Sequence, residues 1–431
     1  MVVGPYLRRR PAKAVVARAE DSARSAEARL EEAVGLTAAI DLEVVEAGIA
    51  PLSEIRPATY LGKGKVDELA GVIKAREIGI VVMDCALSPV QQRNLEKAFG
   101  AKVLDRTGLI LEIFGRRART REGALQVEHA HLTYQKGRLV RSWTHLERQR
   151  GGFGFLGGPG ETQIESDRRM IEERIAKIER ELEGVKKTRK LHRDSRKRVP
   201  YPVVALVGYT NAGKSTLFNR LTRARVLEAD MLFATLDPTL RAIKLPHGAK
   251  AILSDTVGFI SDLPTMLVAA FRATLEEVVE ADVILHVRDA THEDTAAQAH
   301  DVEEVLRALD IDPNDHDRLI EVWNKIDRLG AAAREQLENV AQRRAANERP
   351  VLASALAREG LDRLLETIEA HLAVKRITFD LVLDPSDGAG VSWLHRHSEV
   401  MDKHMRDDGQ LAMTVRADAS NAERIRGKFH A

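Results

Sequence analysis

Apolar residues along this chain recur at helical, strand and heptad spacings in turn, and the changes of period mark its elements. Residues 1–12 show no period and read as frayed. From about Ala14 to Ala39 the spacing is helical, and Ile40-Asp41-Leu42-Glu43-Val44-Val45 then alternates as a strand does. A helix is expected after Leu61-Gly62-Lys63-Gly64-Lys65 as far as Lys74, and Ile78-Gly79-Ile80-Val81-Val82-Met83-Asp84 is apolar enough for a buried strand. Ser88 with Pro89 opens a helix to Phe99, and Lys102-Val103-Leu104 is a short strand. This alternation predicts a small parallel α/β domain over residues 1–110. Gly62 and Gly64 read as a turn before a helix, with phosphate binding the alternative.

The period then lengthens. From Leu109 to about Glu147 the chain is helical and charged, with Leu125, Leu132 and Leu139 seven apart. A second run carries Ile164, Ile171, Ile175, Ile178, Leu182 and Val185, a heptad seam. Two such helices predict an antiparallel hairpin arm over residues 111–198. Its connection, Arg148 to Gln163, holds six glycines and a proline and is expected to be irregular, with Thr162 or Glu161 capping the helix that follows. Phe153, Phe155 and Leu156 have nothing there to pack on; flanked by arginines, they can stack on unpaired bases, and a plain linker is the alternative. The second helix ends in Lys186-Lys187-Thr188-Arg189-Lys190-Leu191-His192-Arg193-Asp194-Ser195-Arg196-Lys197-Arg198. Basic density this one-sided points to a nucleic-acid backbone, against the alternative of a solvated face.

Val199-Pro200-Tyr201-Pro202 marks a boundary, after which β-branched runs dominate. Val203 to Val207 reads as a strand, and Leu217 to Leu221 as a helix. Between them lies G-x-x-x-x-G-K-S, made of Gly208, Tyr209, Thr210, Asn211, Ala212, Gly213, Lys214 and Ser215, followed by Thr216. Strand, glycine loop and helix form a phosphate-binding P-loop, whose N–H groups converge on one anionic spot. Lys214 would reach the β- and γ-phosphates, and Ser215 would hold Mg²⁺. Ala251 to Ser254 is a strand ending in D-x-x-G: Asp255, Thr256, Val257, Gly258. Asp255 would hold Mg²⁺ through water, and the Gly258 N–H would meet the γ-phosphate. In the intervening loop Thr235 is the candidate for the switch I threonine on Mg²⁺, with Thr239 the alternative. Lys214, Thr235 and Gly258 are thus the catalytic candidates.

Val283 to Val287 is a further buried strand, and Leu319 to Trp323 runs into N-K-x-D: Asn324, Lys325, Ile326, Asp327. A carboxylate at Asp327 accepts from both N1–H and the N2 amine of guanine, which adenine cannot offer. Asn324 supports the loop and base, Lys325 lies along the base face, and the backbone of Ser354, Ala355 and Leu356 would support O6. The four motifs predict a Ras-like, doubly wound GTP/GDP-binding domain over residues 199–373. Phe259 follows D-x-x-G where Ras carries a water-orienting glutamine, so slow intrinsic turnover is expected. Acceleration would depend on a partner or on switch II backbone, with Thr256 and Ser261 as candidate water contacts. Over residues 374–431, a strand at Phe379 to Leu383, a helical run from Val391 to Arg406, a strand at Leu411 to Val415 and a helix from Asn421 predict a small α+β domain.

Composition limits the rest. The net charge of +1 means that a nucleic-acid surface must come from local clusters. One cysteine, Cys85, excludes an intramolecular disulfide and fits a reducing cytoplasm. No run reaches signal-peptide or membrane-spanning length, so a soluble cytoplasmic protein without a membrane span is expected. His395, His397 and His404 lack further ligands at metal spacing and read as helix-surface residues.

With Gly208 to Thr216, Phe233-Ala234-Thr235-Leu236-Asp237, Asp255 to Phe259 and Gly158-Pro159-Gly160-Glu161-Thr162-Gln163 in place, the chain resembles the HflX family of ribosome-associated GTPases over its whole length. The resemblance implies binding to the large ribosomal subunit and its rRNA, the arm approaching the peptidyl-transferase region. It further implies GTP-dependent splitting or rescue of stalled ribosomes and GTPase stimulation by the ribosome; a monomer is expected. Two readings compete with it: a GTP-gated adaptor acting on a protein partner, and an RNA-remodelling NTPase.

Overall fold

The computed structural model describes residues 1–7, 24–149, 159–196, 201–222, 233, 239–262, 275–374, 377–406, 408–417 and 419–429. The first sheet is fully parallel, with the order β2-β1-β3-β4. Its strands are β1 Val2–Gly4, β2 Ala47–Ile49, β3 Ile80–Met83 and β4 Lys102–Asp105. Helices α1 (Ala26–Ala38), α2 (Lys63–Ala75) and α3 (Pro89–Phe99) connect them. Helix α3 starts at Pro89 and ends at Phe99 as its sequence predicts; a Ser88–Gln91 capping box opens it and Gly100, in the left-handed region, closes it.

Two expectations fail here. Residues 2–4 are not frayed: β1 is a central, fully buried strand pairing with β2 and β3. Ile40 to Val45 is not a strand. Ile40 stays buried at the end of α1, Asp41 turns with φ +58°, and Leu42 and Val44 lean on the core. The alternation is real, but β1 takes Ala47–Ile49 as its partner instead.

The expected continuous helix from Leu109 divides into α4 (Arg106–Arg117) and α5 (Arg121–Gln149). Ala118 leaves the helical region with ψ 111°, and the Thr120 hydroxyl caps Gly123 N–H at 3.0 Å to restart it. Helix α6 runs from Pro159 to Arg196, so it starts earlier than expected, on a proline at its first position. Arg174 meets Glu128, Lys136 meets Glu172 and Arg121 meets Glu181. Rising numbers on α5 face falling numbers on α6, which makes the pair an antiparallel hairpin, with Leu125 and Ile178 buried in its seam. The tip residues Phe153, Phe155 and Leu156 lie outside the described residues.

The second sheet has six strands in the order β10-β9-β8-β5-β7-β6. In chain order they are β5 Val203–Gly208, β6 Thr239–Lys244, β7 Lys250–Asp255, β8 Val283–Asp289, β9 Leu319–Asn324 and β10 Val351–Leu352. All pairings are parallel except β6–β7. The helices α7 (Lys214–Thr222), α8 (Thr295–Ala308), α9 (Ala331–Gln342) and α10 (Leu361–Val374) complete this unit. The third sheet is antiparallel, β11-β13-β12, with β11 Ile377–Leu383, β12 Glu399–Met405 and β13 Leu411–Ala417, alongside α11 (Gly388–His397) and α12 (Ala419–Phe429). The helical run expected from Val391 to Arg406 therefore ends at His397. Val400 pairs with Val415, and residues 399–405 form an edge strand of the sheet. His395 and His397 stay on α11, while His404 sits on β12.

One apolar core runs through both the first unit and the nucleotide-binding unit. Leu36, Leu109 and Phe114 share it with Tyr209, Phe233, Phe259 and Val278.

Candidate nucleotide site

Strand β5 delivers the chain into a tight loop at residues 208–213, and two glycines make that loop sterically possible. A Cβ on Gly208 (φ +149°) would lie 2.1 Å from Val287 O, and one on Gly213 (φ +92°) 2.2 Å from Asn324 Nδ2. Asn211 also takes a left-handed φ of +60°. Lys214, the first residue of α7, is buried and folds back over the loop. Its Nζ donates to Gly208 O at 3.0 Å and Tyr209 O at 2.8 Å. Burial pushes the ammonium down to about 8, opposed by the Asp255 carboxylate. A phosphate group placed here would supply the charge that burial withholds.

The neighbouring hydroxyl of Ser215 donates to Asp255 Oδ2 at 2.8 Å. P-loop and D-x-x-G strand end thus meet through the two groups expected to hold a cation. Gly258 closes over the loop: a Cβ there would lie 2.8 Å from Thr210 Cγ2 and 3.0 Å from Lys214 Nζ. Val257 and Thr256 are buried behind it. Thr216 lies half-buried on α7, one residue beyond Ser215.

The third part is the loop after β9. Asn324 is almost fully buried. Its Nδ2 donates to Ala212 O at 2.9 Å, and its Oδ1 accepts from Ala355 N–H at 3.0 Å. It ties the P-loop to the loop after β10, a structural duty where the sequence suggested contact with the base as well. Lys325, with φ +67°, pairs with Asp289 Oδ2 at 2.7 Å. Burial pushes the Asp289 carboxyl up, but hydrogen bonds from Lys325 and Thr291 outweigh it and hold the group below its ordinary range. Sequence reasoning missed Asp289; its place at the end of a buried strand beside the P-loop strand is the signal that could have found it. Asp327 Oδ1 accepts from the Ser354 hydroxyl at 2.5 Å, which aims the carboxylate, and Leu356 is exposed at the rim.

Two expected water contacts are turned elsewhere. The Thr256 hydroxyl donates to Leu206 O at 2.6 Å, and Ser261 Oγ lies between Arg106 and Glu32. Phe259 is 1% exposed, so its ring is core. Thr235 lies outside the described residues, while Thr239 opens β6 directly opposite Asp255. Cys85 is half-buried, and burial pushes its thiol up, which suits packing and not nucleophilic chemistry.

A phosphate cradle whose own carbonyl is tied through Asn324 to a loop ending in an aimed carboxylate defines a P-loop GTPase, and the chain binds guanine nucleotides and hydrolyses GTP. Four family descriptions match in succession: "GTP-binding GTPase N-terminal" at residues 27–115, "GTP-binding GTPase Middle Region" at 117–196, "50S ribosome-binding GTPase" at 203–325 and "HflX C-terminal domain" at 339–430. A GTPase HflX of Magnetococcus marinus is 50% identical over 88% of this chain and 86% of its own. That of Escherichia coli is 44% identical over 90% of this chain and 89% of its own. A solved GTP-binding protein from Sulfolobus solfataricus, in complex with GDP, is 25% identical and covers 79% of this chain and 94% of its own, with a TM-score of 0.42. The chain belongs to the HflX family of GTPases.

Proposed function

We propose that this GTPase acts on the large ribosomal subunit and uses its nucleotide state to split or rescue stalled ribosomes. The observation that carries the reading is the antiparallel hairpin of α5 and α6, which follows the first unit in the chain and has the basic run at 186–198 at its C-terminal end. A charged hairpin with an aromatic-glycine tip suits a folded RNA surface, where arginine and lysine meet phosphates and aromatic rings meet unpaired bases. The description "50S ribosome-binding GTPase" matched over 203–325 supports the same partner.

In this reading residues 1–110 form the N-terminal domain, 111–198 the arm, 199–373 the GTPase domain and 374–431 the C-terminal domain. The P-loop residues Gly208 to Thr216 hold the phosphates, with Lys214 and Gly258 on the transferred group. Ser215, Asp255 and Thr235 hold Mg²⁺; a hydroxyl and a buried carboxylate 2.8 Å apart suit an ion that keeps most of its shell as water and phosphate oxygen. Asp327, with Asn324, Lys325 and the 354–356 loop, reads guanine. The protein works as a cytoplasmic monomer; among the described residues no helix is long and apolar enough to cross a membrane.

Turnover of GTP measured alone, with large subunits, and with subunits plus excess duplex RNA tests this. Stimulation by subunits that free duplex cannot compete away is the expected result; no stimulation at moderate salt would sink the reading. Replacing Lys186, Lys187, Lys190 and Arg193 together with Glu is expected to lower subunit affinity by at least about 100-fold, since each lost phosphate contact removes a released counterion. Nucleotide affinity should stay unchanged, and subunit binding that survives in co-sedimentation assigns the run to a solvated face.

A further inference from the structure

Phe259, the residue after D-x-x-G, offers no polar side chain to the attacking water, yet the described start of switch II, residues 259–262, is held partly from outside the GTPase unit. Phe259 is buried, and its backbone is pinned to the P-loop: Thr210 N–H donates to Phe259 O at 2.7 Å, and Phe259 N–H to Gly208 O at 3.1 Å. Two residues on, every polar group of Ser261 is engaged. Its N–H donates to the Tyr209 hydroxyl at 2.7 Å. Arg106, at the start of α4, donates to both Ser261 O and Oγ at 2.9 Å, and Ser261 Oγ donates to Glu32 of α1 at 3.0 Å.

Tyr209 is equally committed. It is a P-loop residue, yet its hydroxyl donates to Glu32 and accepts from Arg24 at 2.5 Å, with the Arg24 guanidinium over its ring at 4.5 Å. Arg24 continues to Asp301 at 2.5 Å, and Arg106 to Asp84 at 2.5 Å. Burial pushes the Glu32 carboxyl up, and Arg106 and Arg24 outweigh it, so the group stays ionised. Phe233, from the loop before β6, adds an apolar contact, its ring meeting Phe114 of α4 edge-on at 4.7 Å.

Burying this many charges is a poor way to glue two units together, because desolvation cancels most of the attraction. Besides Asp301 of α8, the cluster reaches one P-loop residue and one switch II residue of the GTPase unit, contacts that adhesion alone does not require. We infer that Glu32 and Arg106 of the N-terminal unit are positioning residues for GTP hydrolysis, acting through Tyr209 and Ser261 to fix the switch II backbone. With Phe259 in the core, main-chain groups of residues 258–261 order the water, and rate then depends on how tightly those groups are held. Arg24 and Asp84 set the two primary groups in place.

The inference rests on the GTPase chemistry and not on the ribosomal reading, so it is tested on intrinsic turnover of the full chain without ribosomes. Tyr209→Phe keeps the ring and removes the hydroxyl that joins Ser261 N–H to Glu32. Single-turnover hydrolysis is expected to fall by about 10- to 100-fold, less than the about 100- to 1000-fold for losing a donor at the reacting centre itself, because Tyr209 acts through Ser261. Affinities for GDP and a GTP analogue should stay within about threefold, a split between rate and binding that general loosening would not produce. Glu32→Gln is expected to behave alike. Hydrolysis in Tyr209→Phe that is unchanged or faster overturns the inference. So does a rate loss matched by equal loss of GDP affinity, which would make Tyr209 a support of the P-loop alone.

Discussion

Replacing Lys214 with alanine is expected to lower GTP turnover by about three orders of magnitude, the scale seen when one preorganised donor is removed from a developing negative charge. The side chain is 6% exposed and its nitrogen has two loop carbonyls as partners, so it is already aimed before any phosphate arrives. A lysine in this position contributes little reorganisation cost and a full charge on the transferred group. Burial that brings its pKa down to about 8 makes the same point from the other side, since the bare protein leaves the ammonium under-solvated and a polyanion corrects that. Single-turnover hydrolysis at saturating nucleotide checks the rate, and thermal melting of the variant separates chemistry from folding. A variant that melts normally and still hydrolyses GTP within tenfold of wild type would remove Lys214 from the proposed mechanism.

How far the sequence could be read depended on how each contact is encoded. Parallel strands buried on both faces are continuous apolar runs, so β5, β8 and β9 were visible as such, and the P-loop between β5 and α7 followed from its glycines. Strand β1 was not visible, because three residues of Val-Val-Gly are too short to show a period, although it sits at the centre of its sheet. The edge strand β12 reads as helix from sequence, since Met, Asp, Lys and His fit either periodicity, and only pairing with β13 decides. The identity of Phe259 showed that no side chain there can orient water; its burial explains where the ring goes instead. Least visible was the charged cluster. Glu32, Arg106 and Tyr209 lie far apart in the chain, Glu32 and Tyr209 being 177 positions apart, and a tyrosine in the variable part of a P-loop announces no partner.

Asp327→Asn is expected to cut affinity for GTP at least 100-fold and to raise that for xanthosine triphosphate. The carboxylate offers two acceptors to the two N–H groups on the edge of guanine, and Ser354 donates to it at 2.5 Å and fixes its plane. An amide in its place keeps one acceptor and presents a donor to a donor. A buried polar group left unmatched in this way costs about 1–3 kcal/mol, and recognition sites built on such pairs reject the wrong partner strongly. Xanthine carries a carbonyl where guanine has its amine, so the new amide N–H gains an acceptor and the pairing is restored. The framework around the base should survive the change, because Asn324 still binds Ala212 O and Ala355 N–H, and Lys325 still pairs with Asp289. Competition of guanosine and xanthosine triphosphates against a fluorescent nucleotide reads the exchange directly. Weak binding of both nucleotides would mean that Asp327 holds the 354–356 loop in shape and does not read the base; an inversion of preference locates guanine recognition in that one carboxylate.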